Sequence, residues 1–275
     1  MNIFTRELRA NFKVFLIWAV VIIAFMTAGI MKFTGIGTGG TEMVQELMDA
    51  FPKPVLVILG FGSGVNIAEF SGFFAILEFY MGILIAIYAA HLGYTCVSRE
   101  SADGTYEFLF TRPKSRASIL TSKLAAALVY LILFCVIHAL ASYGSYASLD
   151  IPTDSHNALD IIIWFSVWLF TIALMFLSIG ACAAALASRL ELGSRIGMAS
   201  VLVAYFFCVL SDGLDPSTLA GSIMRVLSPL RYWEPNDIID GTINIAFTCL
   251  AAAVVVACLA ITYRRFDTRD LAEHS

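Results

Sequence analysis

Hydrophobic and polar positions alternate along this chain in long blocks rather than at short periods. Apolar runs close to the length of a bilayer core, about 20 residues at a 1.5 Å rise, recur at 14–31, 72–97, 116–143, 161–187, 195–211 and 242–263. No period-2 alternation marks a membrane barrel. The pattern therefore predicts an all-α polytopic membrane protein, a single domain over 1–275 with six transmembrane helices.

The segments between the runs differ in kind. Before the first run, Leu8, Phe12 and Phe15 recur at i, i+4 and i+7, with Arg6, Glu7, Arg9 and Lys13 elsewhere on the turn. That spacing predicts an N-terminal amphipathic helix leading into the first span. A cleaved signal peptide is the rival reading of 14–31. The run is long for such a segment and no A-x-A-like site follows, so a retained span is expected. The connector 32–71 opens on GIGTGG, which reads as flexible. Val44, Leu47, Met48 and Phe51 then predict a surface helix that Pro52 and Pro54 stop. A second long connector, 211–241, repeats the motif with Ile223, Val226, Leu227 and Leu230. Trp164 and Trp168 near the start of the fourth run suit an aromatic belt. Gly193 and Gly197 give a small-xxx-small spacing for close helix approach.

Composition agrees with the pattern. The chain is 59% hydrophobic, against roughly 45–50% for soluble domains. Its net charge of −4 matters less than where the charges lie. Arg6, Arg9, Lys13, Arg99, Arg112, Lys114, Arg116, Lys123, Arg189, Arg195, Arg264, Arg265 and Arg269 fall on one side of a six-span topology. Only Lys32, Lys53, Arg225 and Arg231 fall on the other. The positive-inside rule then places both termini and the 99–123 segment in the cytoplasm of a cell-membrane protein. Cys96, Cys135, Cys182, Cys208, Cys249 and Cys258 sit in or beside apolar runs with no CxxC pair, and read as small hydrophobes. No metal site and no nucleic-acid partner are expected.

The 99–123 segment, RESADGTYEFLFTRPKSRASILTSK, is the longest polar break between two spans. Gly104 permits a tight turn. Tyr106, Phe108, Leu109 and Phe110 form an apolar knob of the kind that a partner covers. Glu100 and Glu107 offer charges to basic groups on a partner or to Arg112 and Arg116. Pro113 separates the knob from the third span, and Ser115 is positioned as its N-cap. The bland alternative is a loop lying on anionic lipid through its basic residues.

Glu100, Gly104, Thr105, Glu107, Leu109, Pro113, Ser115, Arg116, Ile119 and Lys123 match a pattern that resembles the signature of type-2 ABC transporter permeases. FTRELRANFKVFLIW at the start, FPKPVLVILGF after the first span and YRRFDTRDL at the end are similar to members of that family too. The resemblance implies a fold of six spans that works as a pair, with a second permease copy or a similar permease. It implies that Glu100, Gly104, Thr105, Tyr106, Glu107, Phe108, Leu109, Arg112, Pro113, Ser115, Arg116 and Lys123 belong to a docking surface. The loop at 98–115 would be a cytoplasmic coupling helix between spans 2 and 3, receiving a cytosolic ABC ATPase. It also implies export. A phosphate-cradling GxxxxGK[ST] is absent from this chain. The permease would thus carry no cofactor itself, with ATP and Mg bound on the partner ATPase. It would be a transport subunit rather than an enzyme, with membrane lipid around it.

Inside the spans, Glu78 is the one carboxylate far from an end, and ionisable groups at such depth are costly. His138 lies at similar depth in the third run, so the two meet if spans 2 and 3 pack together. They are candidates for the outer part of a substrate path, or for a structural pair. His91, near the cytosolic end of span 2, reads as a structural hydrogen-bonding group. The rival functions are an ion-coupled secondary transporter, which would need broken helices in matched halves, and an intramembrane enzyme, which would need a catalytic cluster. Only Glu78 with His138 approaches one.

Overall fold

In a computed structural model of the chain, which describes residues 3–102, 115–149, 151, 156–187, 190–214 and 218–268, every regular element is helical. The elements are α1 (Ile3–Ala50), α2 (Lys53–Ile58), α3 (Phe70–Ala102), α4 (Arg116–Ala147), α5 (Ala158–Leu186), α6 (Leu190–Gly213), α7 (Leu219–Leu227), α8 (Pro235–Ile239) and α9 (Ile245–Thr268). Short 3₁₀ turns lie at Phe61–Ser63 and Pro229–Arg231. Six of the described helices, α1, α3, α4, α5, α6 and α9, are long and apolar enough to cross a membrane.

Local chemistry sets several boundaries. Ser115 caps α4, its hydroxyl accepting from the Ser118 amide at 3.2 Å, as its position predicts. Asn157 caps α5 and Thr218 caps α7 in the same way. One boundary departs from expectation. The amphipathic start, the first span and the glycine-rich stretch after it form one helix, α1, which ends only at Ala50 before Pro52. Each glycine costs a helix about 1 kcal/mol relative to alanine. A helix already nucleated by its span still satisfies each added backbone N–H by propagating.

The bundle is built on α3 and α5, whose mutual contact is the most extensive. Most of the span residues in these two helices are buried, against 11% in α9. Glycine makes their crossing close. A Cβ on Gly93 would fall on the Leu177 carbonyl oxygen, and one on Gly180 on the Ala90 carbonyl oxygen. No side chain fits between them, so the backbones touch. Gly193 and Gly197 of α6 lie against α5 of the same chain, near Ala184 and Gly180. Around this pair, α4 packs against α1, and α9 and α6 against α5. Ile17, Val20, Leu202 and Val256 are exposed on the outer spans, where a bilayer's hydrocarbon would meet them.

Contacts divide the molecule into two ends. At one, the starts of α1 and α4 meet the ends of α3 and α9. At the other, the connectors 51–69 and 211–244 meet, Asn236 donating to the Ser63 carbonyl at 3.4 Å, and Tyr205 of α6 donates to the Ile58 carbonyl at 2.8 Å and Tyr80 of α3 to the Leu59 carbonyl at 2.7 Å. The two tyrosines satisfy the carbonyls that α2 leaves at its C-terminal end.

Candidate functional site

The segment expected to dock a partner begins in the last turn of α3, and the described residues resume at Ser115, the cap of α4. Glu100 lies on that last turn of α3. Gly104, Thr105, Tyr106, Glu107, Phe108, Leu109, Arg112 and Pro113 lie outside the described residues. The two ends of the segment are described, and both are braced. On the incoming side, Arg99 donates from Nη1 to Glu7 Oε2 at 2.7 Å and from Nη2 to Asn11 Oδ1 at 2.5 Å. Glu7 and Asn11 are buried, at 2% and 6% exposure, so the acceptor side of this charge-assisted pair is shielded from water, and the pair welds α3 to α1. Arg6 also reaches Glu7, at 3.0 Å.

On the outgoing side, Arg116 donates to the carbonyls of Phe266 and Asp267, at 3.4 and 3.1 Å, near the end of α9. One turn further, the Thr121 and Tyr263 hydroxyls share a hydrogen bond of 2.7 Å. Lys123, expected on the docking surface, points into the bundle. It is 1% exposed and donates to the Cys96 carbonyl of α3 at 3.1 Å. Its ammonium therefore ties the helix before the segment to the helix after it. Glu7 and Asn11 were not singled out from sequence. The available signal was a lone carboxylate in a basic N-terminal stretch.

Glu78 and His138 do meet. Glu78 Oε1 lies 2.7 Å from His138 Nε2, and both side chains are fully buried. Ser166 Oγ lies 3.2 Å from Nδ1 and donates its own proton to the Ile162 carbonyl at 2.7 Å. The serine oxygen is thus an acceptor toward the ring, which assigns a proton to Nδ1. Nε2 and the carboxyl then hold one further proton between them, as a neutral acid–imidazole bond or as an ion pair. Phe74 sits beside the imidazole, its ring centre 6.3 Å away. Glu78 Oε2 has no hydrogen-bond partner among the described residues. The pair joins α3 to α4, with Ser166 adding α5. His91 is exposed on the face of α3.

At the other end of the bundle lies a polar cluster that sequence reading passed over as connector. Arg231, 6% exposed, grips Asp212 at the end of α6 with two parallel hydrogen bonds, Nε to Oδ1 at 2.6 Å and Nη2 to Oδ2. Arg225 of α7 bonds Glu234 at 2.6 Å and lies 4.4 Å over the centre of the Phe247 ring. Burial alone would lower the Arg231 pKa. Cys208, Asp212 and Glu234 around it reverse the effect, so it is raised. The sequence signal was the pair of arginines among the few cations on the sparsely basic side.

Six long apolar helices among the described residues, around a glycine-sealed core and with polar connectors at both ends, define a multi-pass α-helical membrane protein. A family model described as ABC-2 family transporter protein matches residues 1–271. The chain belongs to that family: it is a membrane permease component of an ABC transporter. Membrane subunits of this family generally lack an ATPase site of their own and associate with ABC ATPase components. A search of curated proteins returned no match.

Proposed function

We propose that this permease is the membrane half of an ATP-driven exporter and that it docks its separate ATPase through the 99–116 segment. The observation that carries the reading is the bracing of that segment's ends. Arg99 is anchored to Glu7 and Asn11 of α1, Arg116 to the end of α9, and Lys123 to α3. A force applied between residues 102 and 115 would reach four spans through short bonds instead of being lost in a loose loop. Tyr106, Phe108 and Leu109 are the apolar contact in this reading, with Glu100, Glu107 and Arg112 around them. Gly104, Thr105, Pro113 and Ser115 give the turn its shape. ATP and Mg bind the partner.

The basic end of the bundle carries both termini and the docking segment, and faces the cytoplasm of the cell membrane in this reading. A second copy, or a similar permease, completes the path. The full burial of Glu78 and His138 favours a clamp between spans 2, 3 and 4 over the wall of an open path.

The test is copurification of the tagged permease with its ATPase from membranes. The triple variant Glu100→Lys, Glu107→Lys, Phe108→Ala should lose the ATPase while its own yield and melting temperature stay unchanged. Undiminished copurification would overturn the docking role. ATP-dependent accumulation of a lipophilic dye in inside-out vesicles reads the direction, and accumulation only in right-side-out vesicles would refute export.

A further inference from the structure

The far end of the bundle holds a cavity of about 300 Å³ between the end of α6, helix α7 and the start of α9. That is the lower end of the range for small-molecule sites, roughly 300–1,000 Å³, and suits a headgroup better than a whole lipid. Among the described residues its charged lining is balanced: Asp212 and Glu234 against Arg225 and Arg231. The guanidinium of Arg225 is only partly used. Nη1 serves Glu234, Nε serves the Arg231 carbonyl at 3.3 Å, and Nη2 is buried with no hydrogen-bond partner among the described residues. A buried donor without a hydrogen-bond partner is costly, and in a native protein it calls for an acceptor that the described residues do not supply.

Helix α7 says where that acceptor comes from. Leu219, Ile223, Val226 and Leu227 are all exposed. They recur at i, i+4, i+7 and i+8, one face of an α-helix. Ser222 and Arg225 lie off that stripe and line the cavity, with Val226 of the stripe at its edge. An amphipathic helix attached to membrane spans rests with its apolar face among acyl chains and its polar face at headgroup level. The cavity therefore opens where phospholipid headgroups are, in the leaflet opposite the termini.

We propose that this cavity seats the headgroup of a zwitterionic phospholipid, its phosphate on Arg225 Nη2 and its ammonium toward Glu234. Phosphate oxygens are strong acceptors for a guanidinium. Glu234, at 39% exposure, stays open to an amine. An anionic headgroup without an amine would bring negative charge beside Glu234 and Asp212 with nothing to offset it. An occupied seat would hold α7 against α6 and couple the outer connector to the lipid around it.

The experiment is native mass spectrometry of the full chain released from detergent. It is titrated separately with phosphatidylethanolamine, phosphatidylglycerol and free phosphoethanolamine. One phosphatidylethanolamine should bind in preference to phosphatidylglycerol, and free phosphoethanolamine should compete poorly because it lacks the chains that rest on α7. Arg225→Gln should weaken that binding about tenfold, the loss of one charge-assisted hydrogen bond. Glu234→Gln, at a half-exposed position that threatens folding little, should reverse the preference toward phosphatidylglycerol. Equal binding of the two lipids to the unaltered chain, or full phosphatidylethanolamine binding by Arg225→Gln, would overturn the proposal. So would an unchanged preference in Glu234→Gln. Free phosphoethanolamine binding as tightly as the lipid would replace the lipid seat with a site for soluble phosphate esters, and so overturn it too.

Discussion

Replacing Glu78 alone should damage this protein far more than replacing Glu78 and His138 together. The two side chains are fully buried and 2.7 Å apart. Removing one member of such a pair leaves the other without its partner where water cannot reach, which costs about 3–5 kcal/mol if the pair is ionic and about 1–3 if it is neutral. Glu78→Leu strands His138 Nε2, with only Ser142 Oγ nearby at 3.4 Å. His138→Leu strands a whole carboxyl group, because Glu78 Oε2 already lacks a partner among the described residues. Ser166 is not stranded in either case, since its hydroxyl donates to the Ile162 carbonyl. The double variant removes both polar groups and leaves apolar volume in an apolar setting, which is close to neutral for buried pairs elsewhere. The expected coupling energy in the double-mutant cycle is therefore at least about 2 kcal/mol. Glu78→Gln separates the two proton arrangements. Its amide can donate to a neutral Nε2, so a cost under about 1.5 kcal/mol marks a neutral bond, and a larger one marks an ion pair. Reversible unfolding of the purified protein in mixed detergent micelles, followed by tryptophan fluorescence, supplies the energies. Additive single and double variants would refute the clamp.

The remaining predictions concern the crossing, the outer cluster and the sidedness. Gly93→Val and Gly180→Val drive a side chain into a carbonyl oxygen of the facing helix. Each should cost about 3 kcal/mol or more, the upper end for overpacking, seen as a lower melting temperature and reduced membrane yield, while Gly144→Ala, with open space around its Cβ, should lower neither. Asp212→Ala leaves Arg231 buried without its carboxylate and should destabilise by about 3–5 kcal/mol, measured in the same unfolding assay. A cysteine at Ser115 should react with an impermeant maleimide only after the membrane is opened, and a cysteine at Ser63 before it; the reverse result would invert the proposed topology.

Much of the architecture can be read from the chain alone because a bilayer imposes one length and one polarity on whatever crosses it. The apolar runs predicted the spans. The segregation of cations placed the connectors on two sides, consistent with the contacts at each end of the bundle. Ser115 announced its cap because a serine before an apolar run has one local task. Where neighbours decide, local pattern falls short. The glycine-rich stretch after the first span reads as loose, yet the helix propagates through it to Ala50. Lys123 belongs by pattern to a docking surface, yet the Cys96 carbonyl draws it inside. Glu7, Asn11, Asp212 and Arg231 carry no distinctive spacing, and their partners lie tens of residues away in the chain. The motif made the 99–116 segment a candidate for docking, while the anchoring of its two ends to α1, α3 and α9 was not legible in the sequence. Hydropathy and charge act on each residue through its solvent, so sequence alone determined the class, the spans and the polar breaks. Close packing and buried polar pairing depend on which residues meet in space, so only the tertiary structure decided that Gly93 and Gly180 seal the core, that Glu78 holds His138, and that Arg225 lines a cavity with a donor to spare.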